Sequence, residues 1–293
     1  MHRCHGIANF HTGQPMIKKI LVGIDTSEHS RNAQAYAFYI ARKLDAALIG
    51  LHVVDIVSIE GSFFHDISGS LGLEPYMDFS SKMRDVLTQR GKAVLEAFAE
   101  AAKRESVPVE TILDMGIVAN QICERAKSAD LVMIGHRGVN ERFSTGLLGS
   151  TAESVARKCP RPLFISPKDF REMRRPVLAY DGSERASRAM RAAADFSAGF
   201  GVPLTVISVA RDPKLGERTL EETRKYFEHF TPRAEFHLLS GHANEEIIKF
   251  INANNADCLF IGAYGHSRII EMVIGSTTEY VLRNSSCPVF MSR

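Results

Sequence analysis

The stretch Ala129-Asp130-Leu131-Val132-Met133-Ile134-Gly135-His136-Arg137-Gly138 reads as a buried strand that runs into a glycine loop. It returns as Ala256-Asp257-Cys258-Leu259-Phe260-Ile261-Gly262-Ala263-Tyr264-Gly265, with the same opening and the same glycine spacing. A second glycine follows each copy, as Gly149-Ser150-Thr151 and Gly275-Ser276-Thr277. Ser150 and Ser276 each precede a glutamate by three residues, Glu153 and Glu279, which predicts a capping box at a helix start. Strand, glycine loop and helix start together form the arrangement with which α/β proteins hold phosphate. Glycine lets the backbone come close and take positive φ, and the free amides of a helix N-terminus favour an anion.

The repeat extends outward over almost the whole chain. Ile20-Leu21-Val22-Gly23-Ile24-Asp25-Thr26-Ser27-Glu28 matches Val177-Leu178-Ala179-Tyr180-Asp181-Gly182-Ser183-Glu184, and the match continues through a helix to His52-Val53 and Ser208-Val209. At the other end Pro162-Leu163-Phe164-Ile165-Ser166 aligns with Pro288-Val289-Phe290-Met291-Ser292. Each unit is domain-sized, so the period is a domain duplication and not a solenoid. The expected domains are 16–167 and 175–293, joined by a short charged linker bounded by Pro167 and Pro176.

Hydrophobic periodicity predicts strands at 17–24, 47–54, 108–114, 130–135 and 162–166, with helices at 28–44, 81–105, 118–127 and 150–159. The second unit repeats this order, with strands near 175–180, 203–210, 233–239, 257–262 and 288–292. Its helices fall near 184–200, 216–229, 243–253 and 276–285. Strands alternating with helices give the fold class: α/β, two tandem Rossmann-like domains, each a five-stranded parallel-type sheet with helices on both faces. The first unit carries an extra apolar segment, residues 56–80, expected to act as a lid, a contact surface or a self-packed loop.

Composition narrows the function classes. The 293 residues include 45% hydrophobic side chains and carry a net charge of +2, which gives no bulk electrostatic case for a nucleic-acid partner. No apolar stretch approaches the roughly 20 residues of a membrane helix and no signal-type segment opens the chain, so the expected location is cytoplasmic, with no membrane partner. Cys4, Cys123, Cys159, Cys258 and Cys287 do not correspond between the units and read as reduced thiols. Met1 to Pro15 lie outside the repeat and read as an unstructured extension before Met16. His2, Cys4, His5 and His11 lie there, but without a second ligand cluster they assign no metal.

Asp25 and Asp181 stand at the carboxyl ends of the first strands, where open α/β sheets bind ligands. Two readings apply to each: a cap for the following helix, or an acceptor for ribose or adenine opposite a phosphate loop. Their recurrence, each with its own glycine loop, favours the ligand.

These motifs resemble the universal stress protein family, whose nucleotide-binding members carry Gly, two residues, Gly, nine residues, then Gly and Ser or Thr. The second unit has the nine residues His266 to Ile274, whereas the first has ten, Val139 to Leu148, with an extra Gly146. The resemblance covers residues 16 to 293 and implies a tandem protein with an adenine nucleotide-binding fold of the α-hydrolase-like type. It implies ATP, ADP or AMP, with Mg2+, at two sites: Asp25, Val53, Gly135, Gly138, Gly149 and Ser150 in the first, and Asp181, Val209, Gly262, Gly265, Gly275 and Ser276 in the second. His136, Arg137, His266 and Arg268 are either phosphate contacts or surface residues.

The chain lacks a Ser-Gly-Gly phosphate loop and a P-loop lysine. It therefore reads as a regulatory binding module with no catalytic residues assigned, and the resemblance implies at most slow ATP hydrolysis or autophosphorylation. The competing class is an interaction scaffold with vestigial glycine loops. The edge strands 162–166 and 288–292 are expected to meet, forming an intrachain pseudo-dimer, with homodimerisation a further expectation.

Overall fold

The computed structural model describes residues 17–56, 77–138, 148–230, 232–263 and 274–293. The first half runs β1 (Lys19–Gly23), α1 (Glu28–Leu44), β2 (Ala47–Asp55), α2 (Met77–Arg104), β3 (Val109–Gly116), α3 (Val118–Ala126), β4 (Leu131–Gly135), α4 (Ser150–Lys158) and β5 (Leu163–Ser166). The second half repeats it as β6 (Pro176–Ala179), α5 (Glu184–Phe200), β7 (Leu204–Val209), α6 (Pro213–Phe227), β8 (Ala234–Leu239), α7 (Ala243–Ala253), β9 (Cys258–Gly262), α8 (Ser276–Asn284) and β10 (Val289–Ser292). Two helices begin earlier than periodicity places them. The α6 start carries a signal that apolar periodicity does not weigh, Asp212-Pro213: the Asp212 carboxylate accepts from the Lys214 amide and Pro213 opens the helix. The α2 start falls two residues after Pro75, inside the segment assigned to the insertion; the rest of 56–80 lies outside the described residues apart from position 56.

The ten strands among the described residues form one sheet in the order β3-β2-β1-β4-β5-β10-β9-β6-β7-β8. Pairing is parallel within each half and turns antiparallel where β5 meets β10. The two last strands are thus each other's neighbours, with Phe164 opposite Phe290 at the centre of the junction. Neither strand is left as an open edge, which removes a template for pairing with another chain.

Helices α1, α2, α5 and α6 cover one face, burying Tyr36, Ile40, Phe98, Phe196 and Leu220. Helices α3, α4, α7 and α8 cover the other, burying Ile122, Val155, Ile251 and Val281. Each cluster runs across both halves, so the junction is bridged by core and not by strand bonds alone. On the first face Phe290 sits between Phe260 and Phe196, with ring centroids 5.1 and 5.7 Å away. Each such buried ring contributes on the order of 2 kcal/mol.

The short charged linker is held at several points. The Asp257 Oδ2 accepts from the amides of Arg174 and Arg175, both at 2.7 Å. Phe170 packs on Tyr36, Met173 is buried, and the Arg171 amide donates to the Tyr36 hydroxyl at 2.9 Å. Asp130, the counterpart of Asp257, likewise accepts from two amides, Lys18 and Lys19, each at 2.9 Å. The acid before each fourth strand therefore ties down the entry to each first strand.

Candidate functional site

In each half the strand order reverses between the first and fourth strands, and a cavity opens at their carboxyl ends. The first cavity, about 340 Å³, is lined by Asp25, Val53, Gly135, Gly138, Gly149 and Ser150. The second, about 330 Å³, is lined by Asp181, Val209, Gly262, Gly275 and Ser276. Gly265, His266 and Arg268 lie outside the described residues, as do His2, Cys4, His5 and His11.

The aspartates are not the helix caps. Ser27 and Ser183 are the N-caps of α1 and α5, accepting from the Ser30 and Ala186 amides at 3.0 and 3.1 Å. Asp25 and Asp181 each use Oδ1 to accept from the amide two residues on, at 2.7 and 3.0 Å, a turn that aims the carboxylate at the cavity mouth. Asp25 Oδ2 lies 3.1 Å from where a side chain on Gly138 would begin, so the carboxylate and the glycine loop face each other.

The expected capping boxes do not form. Gly149 and Gly275 are the N-caps of α4 and α8, with no side-chain cap bond, and the serines take the first helical position. Glu153 and Glu279 turn along the helix to Arg157 and Arg283, at 2.7 and 2.8 Å, because an ion pair one turn away competes with the backward reach to the cap. The leading amides of both helices therefore keep their hydrogen-bonding capacity toward the cavity.

The glycines serve close approach and not unusual backbone angles. Gly149 and Gly275 have φ of −67° and −60°, and Gly135, Gly138 and Gly262 are not among the glycines of positive φ. A Cβ on Gly135 would lie 2.7 Å from the His29 Cβ and 2.8 Å from its carbonyl carbon; one on Gly262 would lie 2.6 Å from the Ala186 amide nitrogen. These two glycines let α1 and α5 press onto the fourth strand of their half, a packing duty in addition to lining the cavity.

His136 and Arg137 part company. Arg137 lines the first cavity, whereas the His136 Nε2 donates to the Leu282 carbonyl of α8 at 2.7 Å. A helix C-terminus offers unpaired carbonyls, and a carbonyl only accepts, so this bond fixes the proton on Nε2. In the reverse direction Arg293 donates to the Arg157 and Cys159 carbonyls at the end of α4, at 2.6 and 2.5 Å. Each half thus closes the far end of the helix whose near end opens onto the other half's cavity.

Sequence reasoning missed several lining residues. Leu87 and Arg90 of α2, Asp55 at the end of β2, and Val118 and Ile122 of α3 line the first cavity. Tyr180, Ala243 and Ile247 line the second. Asp55 and Tyr180 directly follow or end a strand at its carboxyl side, a detectable signal; the helical residues depend on packing angles that no local pattern carries.

Comparison with known proteins follows the same division of the chain. The model of the universal stress protein family matches residues 16–167 and 173–293. A universal stress protein of Synechocystis is 30% identical over 288 residues, covering 94% of this chain and 100% of the relative. A second, from Mycolicibacterium smegmatis, is 25% identical, covering 94% of this chain and 96% of the relative. The crystal structure of a universal stress protein from Archaeoglobus fulgidus superposes with a TM-score of 0.73 at 23% identity, covering 96% of this chain and 99% of that one.

Proposed function

Because the chain belongs to the universal stress protein family, we propose that it is a cytoplasmic regulatory module of the stress response that binds ATP, ADP or AMP at two sites, one in each of two domains, 16–167 and 175–293. The observation that carries this reading is the pair of glycine-capped helix starts, Gly149-Ser150 and Gly275-Ser276, each with no side-chain cap and each across a cavity from a carboxylate.

In this reading the leading amides of α4 and α8 and the Ser150 and Ser276 hydroxyls take the phosphates, where the helix dipole favours negative charge. Asp25 and Asp181 accept from the nucleoside, and the Val53 and Val209 walls receive adenine. Mg2+ would arrive with the phosphates; among the described residues no group of three His, Cys, Asp or Glu side chains is placed to hold a metal of its own. Among them, too, no helix is long and apolar enough to cross a membrane.

We read the β5–β10 junction as a pseudo-dimer contact inside one chain. A homodimer of whole chains would have to use other surfaces, since these two strands already pair with each other. Acid denaturation of freshly purified protein, with chromatography of the supernatant, tests the nucleotide reading, and calorimetry of the full chain with ATP and AMP supplies affinities. Release or binding of an adenine nucleotide is expected. If none is released and neither binds at millimolar concentration, the interaction-scaffold reading takes its place.

A further inference from the structure

One residue of the first glycine loop reaches from its own half into the other. The His136 carbonyl accepts from the amide of Gly149, the cap of α4, at 3.0 Å, and the His136 amide donates to the Ser166 carbonyl at 2.9 Å. Its neighbours Gly135 and Arg137 line the first cavity. The imidazole instead donates to the Leu282 carbonyl in the last turn of α8, at 2.7 Å. The Ser285 amide takes the carbonyl before it, that of Val281, at 2.9 Å. The other end of α8 is the Gly275-Ser276 start, which lines the second cavity.

The second half does not return this contact. Ala263 stands where His136 stands, and its amide donates to the Ser292 carbonyl at 2.6 Å as that of His136 does to Ser166, but a methyl side chain carries no donor. Arg293, which closes the end of α4, follows β10 and is not part of the second glycine loop. Arg283 of α8 lies 3.9 Å from Glu153 of α4, a partly exposed pair whose attraction is weak at that distance. Among the described residues, a hydrogen-bonded path from a glycine loop to the other half's site helix therefore runs only from the first to the second.

We propose that His136 is a positioning residue for the second cavity, through which a nucleotide held in the first raises the affinity of the second. This role rests on the nucleotide reading of both cavities. Phosphate bound at the start of α4 fixes the main chain of His136, because the Gly149 amide at that start is bonded to the His136 carbonyl. A fixed imidazole holds Leu282, and α8, nine residues and about 13 Å long, moves as one rod with the amides of the second site at its far end. The ordering of α8 that a second nucleotide would otherwise have to impose is then already in place. A single hydrogen bond bounds the effect at about a two- to tenfold change in affinity. Linkage makes it reciprocal, so a ligand in the second cavity tightens the first by the same factor.

Calorimetry of the full chain with ATP first counts the nucleotides bound, and two are expected. His136→Ala should weaken the second to bind by about two- to tenfold. His136→Gln, whose side-chain amide can donate to the same carbonyl, should restore most of that loss. In Gly275→Val, which obstructs the second cavity, adding His136→Ala should leave the affinity of the first unchanged. Hydrogen exchange in Gly275→Val follows the path itself: ATP should slow exchange at the end of α8. Adding His136→Ala should abolish that protection and spare the protection at the start of α4. If circular dichroism shows that Gly275→Val does not fold, His136→Ala and His136→Gln with both cavities open decide alone. The role is overturned if His136→Ala leaves the second affinity unchanged, or weakens binding equally with the second cavity open and closed. A single bound nucleotide also overturns it, while leaving the nucleotide reading standing for one cavity. If the wild type binds no ATP, the nucleotide reading falls and the coupling falls with it.

Discussion

The two cavities are built on one plan and walled differently. Both have the Asx turn, the serine cap on the following helix, the glycine against which that helix packs, and a glycine-capped helix start. The first is deepened by α2, through Leu87 and Arg90, and its His52 donates from Nδ1 to the Ile24 carbonyl at 2.8 Å. Among the described residues no α6 side chain lines the second, where Ser208 stands in place of His52 and Asp181 is exposed while Asp25 is half-buried. The shared parts are those that hold the backbone, through short side-chain bonds to amides and through close approach at the glycines, where an added atom collides. The walls are side chains on helices, free to change once the frame is held.

The largest effect should come from breaking that frame. Gly135→Val and Gly262→Val each drive a branched side chain into the backbone of the packed helix, and each should cost about 3 kcal/mol or more in denaturant unfolding of the full chain. Similar losses in the two halves mark the glycines as packing parts; a neutral variant in either half would end the equivalence.

A smaller loss, about 2 kcal/mol, is expected for Asp257→Ala, which frees two amides at the entry to β6. Asp257 Oδ1 is buried with no partner among the described residues, and burial raises the carboxyl above its usual range despite the two amides on Oδ2. The folded state therefore binds this proton more tightly than the unfolded state. Its contribution to stability is fully present below the unfolded value and is lost as pH rises through the raised one. Unfolding of the wild type against Asp257→Asn should show the difference shifting toward the wild type as the solution is acidified, and a pH-independent difference would refute the assignment.

At the sites, Asp25→Ala should lower nucleotide affinity about tenfold, on the order of 1.4 kcal/mol, because its carboxylate is partly desolvated. Asp181→Ala, at an exposed carboxylate, should lower it by less than about 1 kcal/mol. Calorimetry of each variant orders the two, and the reverse order would show that wall depth does not set their strength. The smallest effect concerns the bonds across the halves: His136→Ala should cost about 0.5 to 1 kcal/mol, by thermal unfolding, for one helix-end carbonyl left to water.

Much of the fold was legible because each element announces itself locally. Glu28–Leu44 and Glu184–Phe200 are bounded by Ser-Glu at one end and a left-handed residue, Asp45 or Gly201, at the other, and their limits follow from the pattern. Of the cavity residues at or near strand ends, Asp25, Val53, Asp181 and Val209 were legible, whereas Asp55 and Tyr180 were passed over. What sequence could not weigh were contests between partners. Glu153 has the spacing for a capping box and also for Arg157, and only packing decides; His136 has the chemistry for phosphate, and a carbonyl 146 positions away takes it. Tyr36 shows the same limit: nothing in α1 foretells that its hydroxyl anchors the linker.

The antiparallel seam between β5 and β10 has a consequence for how the protein answers to its own abundance. Strands donated by separate chains would associate and part with concentration, and any property that needs both sites together would fade on dilution. Here the partners are tethered, so their local concentration is fixed by chain geometry. One molecule in a cell holds its two unlike cavities in the same ratio and at the same spacing as a thousand do.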